Sequence, residues 1–296
     1  MIVKGRRLSQ DKIINIIFHI IAVIMIILVI YPLWFVIIAS FSNPSDVVNG
    51  KVWIFPRQID IRGYQKLLEQ TRIWISYLNT ILYTAVGTFF GLVVNISAGY
   101  AMSRKDLPGR KIINTFLIIP MFVSGGLIPT YLVVKYFGFL DSFWVMVIPF
   151  AVSTYNIIVA RTFFENLLPE SLWEAAQIDG CNTIRYFFEF AIPLSKAVIA
   201  VVGLWTAVGL WNSWFNALIY LNNENLIPLQ LLLRRILITN ESLLGAATGT
   251  MATELRQLSD MMKYGSIVVS TLPIMLVYPF IQKYFNQGVM VGSVKG

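Results

Sequence analysis

Six stretches of this chain run for at least 19 residues without a single Asp, Glu, Lys or Arg: Ile13–Ser45, Ile73–Ser103, Ile112–Val134, Ser142–Ala160, Ala197–Asn223 and Tyr264–Gln282. A helix needs about 20 apolar residues to cross the hydrocarbon core of a bilayer. Lipid offers the backbone no hydrogen bonds, so stretches of this kind cross as helices. The pattern predicts an all-α membrane protein with six transmembrane helices. Six is an even number, so both termini lie on one side. Composition agrees, with 57% hydrophobic and 13% charged among 296 residues, where soluble domains carry about 25% charged.

Charge in the short loops sets the orientation. Ser103–Lys111 holds Arg104, Lys105, Arg110 and Lys111, and the segment before the first span holds Lys4, Arg6, Arg7 and Lys12. Basic short segments stay in the cytoplasm, which makes both termini cytoplasmic. Lys135–Asp141 carries one charge of each sign and falls outside. Phe41–Arg72 also carries five basic residues, but long segments translocate largely regardless of charge. The basic start resembles a signal peptide. The apolar run behind it is far longer than a signal core and meets no small-residue cleavage site, so it reads as a retained span. The net charge of +8 fits loops that face anionic lipid.

Several chemistries are excluded. One cysteine, Cys181, and one histidine, His19, can build neither an internal disulfide nor a His/Cys metal cluster. There is no Gly-x4-Gly-Lys-Ser/Thr phosphate loop, no zinc pattern and no nucleophile elbow. The six stretches hold no Asp, Glu, Lys or Arg, and proton-coupled carriers place such groups inside their spans. His19 reads as an interfacial or hydrogen-bonded residue.

The spans differ in character. The first is rich in isoleucine and poor in small residues, so it is peripheral and faces lipid. The outer segment after it opens with the turn Asn43-Pro44-Ser45-Asp46 and has a short surface helix at Tyr64–Gln70. The second carries Gly87, Gly91, Asn95 and Gly99 at a spacing of four, a stripe that lets helices pack closely. The third is interrupted by Pro120, Gly125, Gly126 and Pro129. Interrupted backbone is tolerated only where protein or water satisfies it, so this span faces the interior. The fourth places Tyr155 and Asn156 near its middle or inner half. The fifth carries Trp211, Asn212, Trp214, Phe215 and Asn216, with the two amides one turn apart. Two readings stand for that stripe: a sugar-contacting path, since amides suit hydroxyls and rings suit sugar faces, or helix packing plus an aromatic belt. Asn222–Met262 reads as a long outer loop with Arg234, Arg235 and a small-residue patch, Gly245–Thr250. The sixth span, about Tyr264–Phe285, holds Pro273 and Pro279.

One segment between the fourth and fifth spans combines charge, helix pattern and punctuation. Pro169 suits a first helical turn, and Glu170 and Glu174 suit the positive end of the helix dipole. Leu172, Ala175, Ala176 and Asp179 share a face at helical spacing, flattened by alanine. Gly180 ends the helix, and Asn182 or Thr183 caps a second one through Phe190. The orientation above puts this segment in the cytoplasm. An ordinary amphipathic connector between spans is the other reading.

Glu174-Ala175-Ala176, three residues, Gly180, nine residues and the close Phe190-Ala191-Ile192-Pro193 resemble the Glu-Ala-Ala loop of importer-type ABC transporter permeases. The family's close is Ile-x-Leu-Pro, and the proline here keeps its register. The turn Asp106-Leu107-Pro108-Gly109-Arg110 resembles the family as well. Gly125-Gly126-Leu127-Ile128-Pro129-Thr130-Tyr131 is similar to the branch that handles complex oligosaccharides. The end Val289-Met290-Val291-Gly292-Ser293-Val294-Lys295-Gly296 is similar to the tail of the second permease of maltose-type importers, where it reaches toward the ATPase; a disordered end is the other reading.

The resemblance covers about Tyr77–Gly296. It implies the transmembrane domain of a type I ABC importer in the bacterial inner membrane, multi-pass, carrying a carbohydrate such as an oligosaccharide or complex glycan. It implies that Glu174, Ala175, Ala176, Asp179 and Gly180 couple to a cytoplasmic ATPase dimer. Further implied partners are a second permease subunit and an extracellular solute-binding protein. This chain takes no cofactor; ATP and Mg are held by the ATPase, so it is not itself an enzyme. The expected layout is a cytoplasmic tail over 1–12, the first span and outer segment over 13–76, a five-helix core over 77–285 with the coupling loop at 165–194, and a cytoplasmic tail over 286–296. The competing reading is an ATPase-independent carrier or channel for small polar solutes.

Overall fold

In the computed structural model of the chain, residues 4–123, 125–246 and 249–293 are described. They are mostly helical, with no strand among them. Three helices are long and apolar enough to cross a membrane: Lys12–Ser40, Thr71–Ser103 and Leu255–Pro279. Two bent pairs raise the number to five among the described residues. Phe143–Ala151 with Thr154–Leu167 turns by 46°, and Thr183–Leu194 with Lys196–Trp211 turns by 81°. The third apolar stretch is two separate helices, Arg110–Phe122 and Leu127–Tyr136. Gly126 takes a φ of 81° at the start of the second, a conformation glycine adopts without steric cost.

The chain forms two compact units, Met1–Gln70 with Ile236–Thr271, and Thr71–Arg235 with Leu272–Gly296. In the first unit the helix Lys4–Ser40 leaves its membrane-spanning stretch unburied, as its isoleucine-rich sequence predicts. Only its last turn enters a core, with Ile38, Ala39 and Ser40 buried. There Tyr64 donates its hydroxyl proton to Ser40 Oγ at 2.7 Å and stacks on Phe41. The expected turn at Asn43 is a short helix, Pro44–Val48. Asn43 Oδ1 accepts from the Ser45 N–H at 2.9 Å, and Pro44 fills the first position, where its missing N–H costs nothing. The expected surface helix runs Arg62–Leu68.

In the second unit the helix Thr71–Ser103 is the axis. A Cβ at Gly91 would stand 2.6 Å from the Ala151 carbonyl oxygen, and one at Gly99 would stand 2.5 Å from Ala160 Cβ. The stripe therefore lets two neighbouring helices approach to backbone contact. Asn95 does more than make room. It is fully buried; its Nδ2 donates to Ala151 O at 3.0 Å and its Oδ1 accepts from Ser153 N–H at 3.0 Å. Ala151 and Ser153 flank the break in the fourth span, just beyond Pro149. A break in lipid exposes unpaired backbone groups, and one amide side chain answers both.

Four expectations need correction. The third span is not buried within this chain; Arg110–Phe122 has no buried residue. The segment 222–262, expected as an outer loop, is largely helical, in Leu229–Ala246 and in a 45-residue helix that begins at Gly249. Absence of charge locates lipid-facing stretches but overlooks amphipathic helix, and here Leu229, Leu231, Leu232 and Leu233 are buried beneath charged neighbours. For the same reason the last candidate span begins earlier than the charge-free stretch from Tyr264, at Leu255, and takes in Arg256, Asp260 and Lys263. The end expected as a tail continues as helix to Ser293; isolated glycines cost a helix only about 1 kcal/mol each. Residues 294–296, residues 1–3 of the expected N-terminal tail, and 247–248 of the small-residue patch lie outside the described residues.

Candidate functional site: the helix pair Glu170–Tyr186

The helix Glu170–Ile178 is preceded by Pro169 in extended conformation at the cap, one residue before the first turn. Glu170 lies in that first turn, where the dipole favours it. Gly180 has a φ of 76°, and Cys181 N–H returns to Ala176 O at 2.9 Å, closing the helix in the left-handed manner its glycine predicts. Asn182 then accepts from Arg185 N–H at 2.8 Å and caps Thr183–Tyr186. The backbone next widens into a π-turn over Phe187–Ala191, with Ile192 N–H reaching Phe187 O. Pro193 has no N–H for the carbonyl four residues back, so an α register is unavailable at this point and the wider one takes its place.

The face shared by Leu172, Ala175, Ala176 and Asp179 is divided between core and solvent. Trp173 and Ala176 are buried, whereas Glu174, Ala175, Asp179 and Gly180 are exposed. The indole outweighs the smaller side chains in selecting the face. Trp173 meets Tyr186 edge to face at 5.0 Å, and the Arg104 guanidinium lies over its other contact surface, 4.2 Å from the ring centroid. Beneath them Tyr100, Phe164, Ala160 and Val202 continue one core into the spans. The outward side presents Glu174, Ala175 and Asp179, together with Ile178 at 87% and Ile184 at 71% exposure.

The basic turn behind this pair is its clamp. Lys105 Nζ pairs with Glu170 at 2.5 Å. Arg110 and Arg161 both pair with Glu165, and Arg110 Nε also donates to Met102 O at 2.8 Å. Arg104 is shared between Trp173 and Asp106. Its side-chain hydrogen bond holds the Asp106 carboxyl below the usual carboxylate range, against a smaller opposing effect of burial. These cations bracket a cavity of about 440 Å³ that includes Pro169 and Glu170. Trp173, Arg104 and Lys105 are the residues that the motif alone overlooks. The basic turn is visible in the sequence, but its contact with the motif is tertiary.

The candidate path residues are dispersed. Asn212 caps the end of Lys196–Trp211, exposed, with its Nδ2 donating to Val208 O at 2.9 Å. A new helix starts at Trp214 and carries Phe215 and Asn216. The two amides are therefore not one turn apart on a single helix: Asn212 and Ser213 interrupt it. Trp211 is buried, edge to face with Tyr77. Asn156 is buried and donates to Thr206 Oγ1 at 3.3 Å, a packing contact. Tyr155 is exposed beside Trp205. Phe215 is exposed, and the half-buried Trp214 lies under Arg234.

Residues 87–291 match the family described as binding-protein-dependent transport system inner membrane component. The chain is 39% identical over 267 residues to the polygalacturonan/rhamnogalacturonan transport system permease protein YtcP of Bacillus subtilis strain 168, covering 90% of this chain and 93% of that one. It is 38% identical over 267 residues to Protein LplC of the same organism, covering 90% of each. The crystal structure of a bacterial ABC transporter involved in the import of the acidic polysaccharide alginate superposes with a TM-score of 0.81 at 30% identity, covering 93% of this chain and 98% of that chain.

Proposed function

Because the chain belongs to the binding-protein-dependent inner-membrane transport components, we propose that it is the permease subunit of an ATP-driven importer for a carbohydrate, an oligosaccharide or complex glycan. It is a multi-pass inner-membrane protein and a transport component, not a catalytic subunit. The carbohydrate reading draws on what the relatives are named for carrying, polygalacturonan/rhamnogalacturonan and alginate. On this reading six spans cross with both termini cytoplasmic, and the third crosses as two half-helices. Its exposed surface then belongs against a second permease subunit, since one chain is half of the pore.

The observation that carries the coupling assignment is the division of the helix Glu170–Ile178. One face is locked onto the spans through Trp173 and Ala176, and the other offers Glu174, Ala175, Ile178 and Asp179 to solvent. A helix fixed on one side and bare on the other transmits displacement from a docked partner. The partner is a cytoplasmic ATPase dimer that binds ATP and Mg. ATP drives the cycle by binding the outward-facing state more tightly than the inward-facing one. An extracellular binding protein delivers the sugar.

The test is ATP hydrolysis by the reconstituted complex in lipid, with and without sugar-loaded binding protein, for wild type and Glu174→Lys. Stimulation in wild type that is lost in a folded Glu174→Lys complex supports coupling through this helix. Sugar flux in liposomes without any ATPase would replace the importer with a carrier.

A further inference from the structure

We propose that Arg234, held against the face of Trp214, is a carboxylate-binding group that suits this permease to acidic oligosaccharides, those with uronate residues; this rests on the carbohydrate-import reading above. The Arg234 guanidinium carbon stands 3.8 Å from the Trp214 ring centroid. Cation–π attraction at that distance holds the guanidinium against the ring, and Arg234 is exposed, so its N–H edge is open to solvent. That edge is a fork of donors matching the two oxygens of a carboxylate.

The neighbouring charges leave Arg234 unneutralised. Glu224 is shared by Arg72 and Arg235, and none of the ion pairs among the described residues involves Arg234. The carboxylate of Glu224 is thus already engaged by two other arginines. Asp141 is tied up elsewhere: its Oδ1 accepts from Asn222 and Asn223 N–H at 2.8 and 2.7 Å. A patch of one sign attracts anions, whereas a neutral sugar offers the stacked cation no countercharge.

The position faces water. Trp214 starts immediately after the interruption at Asn212 and Ser213, and Asn212 is exposed. Neither an interrupted backbone nor an exposed guanidinium is tolerated against lipid. Both features meet at Trp214, so the surface there faces water. A uronate pairs its carboxylate with Arg234, and the exposed ring of Phe215 next to Trp214 offers an apolar surface for the C–H face of a sugar.

The experiment uses proteoliposomes holding this chain, its partner permease and the ATPase, supplied with binding protein and either trigalacturonate or its full methyl ester. Uptake is measured for wild type, Arg234→Gln and Arg234→Lys. We expect Arg234→Gln to lower trigalacturonate uptake about tenfold or more, with Arg234→Lys falling between Arg234→Gln and wild type, because lysine keeps the charge but not the two-pronged donor edge. Uptake of the ester should change less than about twofold in either variant. If wild type takes only the acid, equilibrium dialysis of trigalacturonate against the purified complex decides, again with about a tenfold loss expected in Arg234→Gln. The proposal is overturned if Arg234→Gln handles the acid like wild type, if acid and ester uptake fall equally, or if wild type takes only the ester. If wild type takes neither with ATP present, the Arg234 assignment is overturned, while the broader carbohydrate reading stands or falls on the ATP-hydrolysis test above.

Discussion

Replacing Asn95 by leucine keeps roughly the same volume and removes both hydrogen bonds across the break of the fourth span. Ala151 O loses its donor and Ser153 N–H loses its acceptor. A buried unsatisfied polar group costs about 1–3 kcal/mol, which sets an upper range of about 2–6 kcal/mol for the pair. Hydrogen bonds within membranes average nearer 0.6 kcal/mol, because the unfolded chain in lipid also finds partners. Here the freed groups are backbone atoms beside a residue with no exposed surface, so neither water nor another side chain replaces the amide. We expect a loss of about 2–3 kcal/mol, a 30- to 150-fold fall in the folded-to-unfolded ratio at about 1.4 kcal/mol per decade. The check is unfolding in mixed micelles as the SDS fraction rises, followed by circular dichroism. An Asn95→Leu midpoint within about 0.5 kcal/mol of wild type would falsify the claim that this side chain holds the break together.

Three more outcomes follow from the geometry. Gly99→Ala places a Cβ 2.5 Å from Ala160 Cβ and should cost about 1–3 kcal/mol by overpacking; Gly209→Ala meets nothing within 4 Å and should be neutral or stabilise by up to about 1 kcal/mol; the same micelle titration compares them. Gly180→Val forces a branched residue to a φ of 76°, costing about 1–2 kcal/mol. Limited proteolysis should show cleavage around 178–183, and Gly180→Asn should be far milder, because asparagine tolerates that conformation. Asp106 has a folded pKa below its ordinary value, so its pairing with Arg104 stabilises fully above about pH 4 and fades as pH falls through the folded value. The stability difference between wild type and Asp106→Asn should be under about 1 kcal/mol at pH 7, since the carboxylate is largely exposed, and should vanish in strong acid; a difference that persisted there would exclude the ion pair as its source.

The sequence displays its spans because a charge in lipid is costly, so charge-free runs are conspicuous without any tertiary knowledge. Gly180 and Asn182 were equally readable, since a left-handed stop and a cap are local events. Asn95 was not: in the sequence it counts as one more small position beside Gly91 and Gly99, and its role depends on where another helix breaks. Trp173 escaped for a similar reason. Helical spacing shows the alanines on one face but does not reveal that Arg104 and Tyr186 wait for an indole on the next. Asn212 and Asn216 looked adjacent only on the assumption of an unbroken helix. The segment 222–262 read as a loop because its charges interrupt the apolar count, although its leucines recur at helical spacing.

The helix Thr71–Ser103 joins the two ends of the second unit. At about 1.5 Å per residue its 33 residues extend roughly 50 Å, more than the hydrocarbon thickness of a bilayer. Just past its last turn, Arg104 and Lys105 grip Trp173 and Glu170 of the candidate coupling helix. Near its first turns, Asn79 donates to Asn225 O, Tyr83 donates to Leu226 O, and Thr80 accepts from Leu229 N–H. The segment they hold leads directly to Arg234. Between these ends, the unbroken helix pins the kinked fourth span through Asn95. On the proposed reading, force applied at Glu174 reaches the outer surface through a continuous rod, while the interrupted spans beside it supply the places that bend. Weakening the Arg104 contact should therefore impair coupling without altering which sugar is chosen, and changing Arg234 should do the reverse. Measuring both variants in one uptake assay separates the two ends: a change in sugar preference in Arg104→Ala would mean that the grip at Trp173 also shapes the outer surface, and that the rod is not rigid.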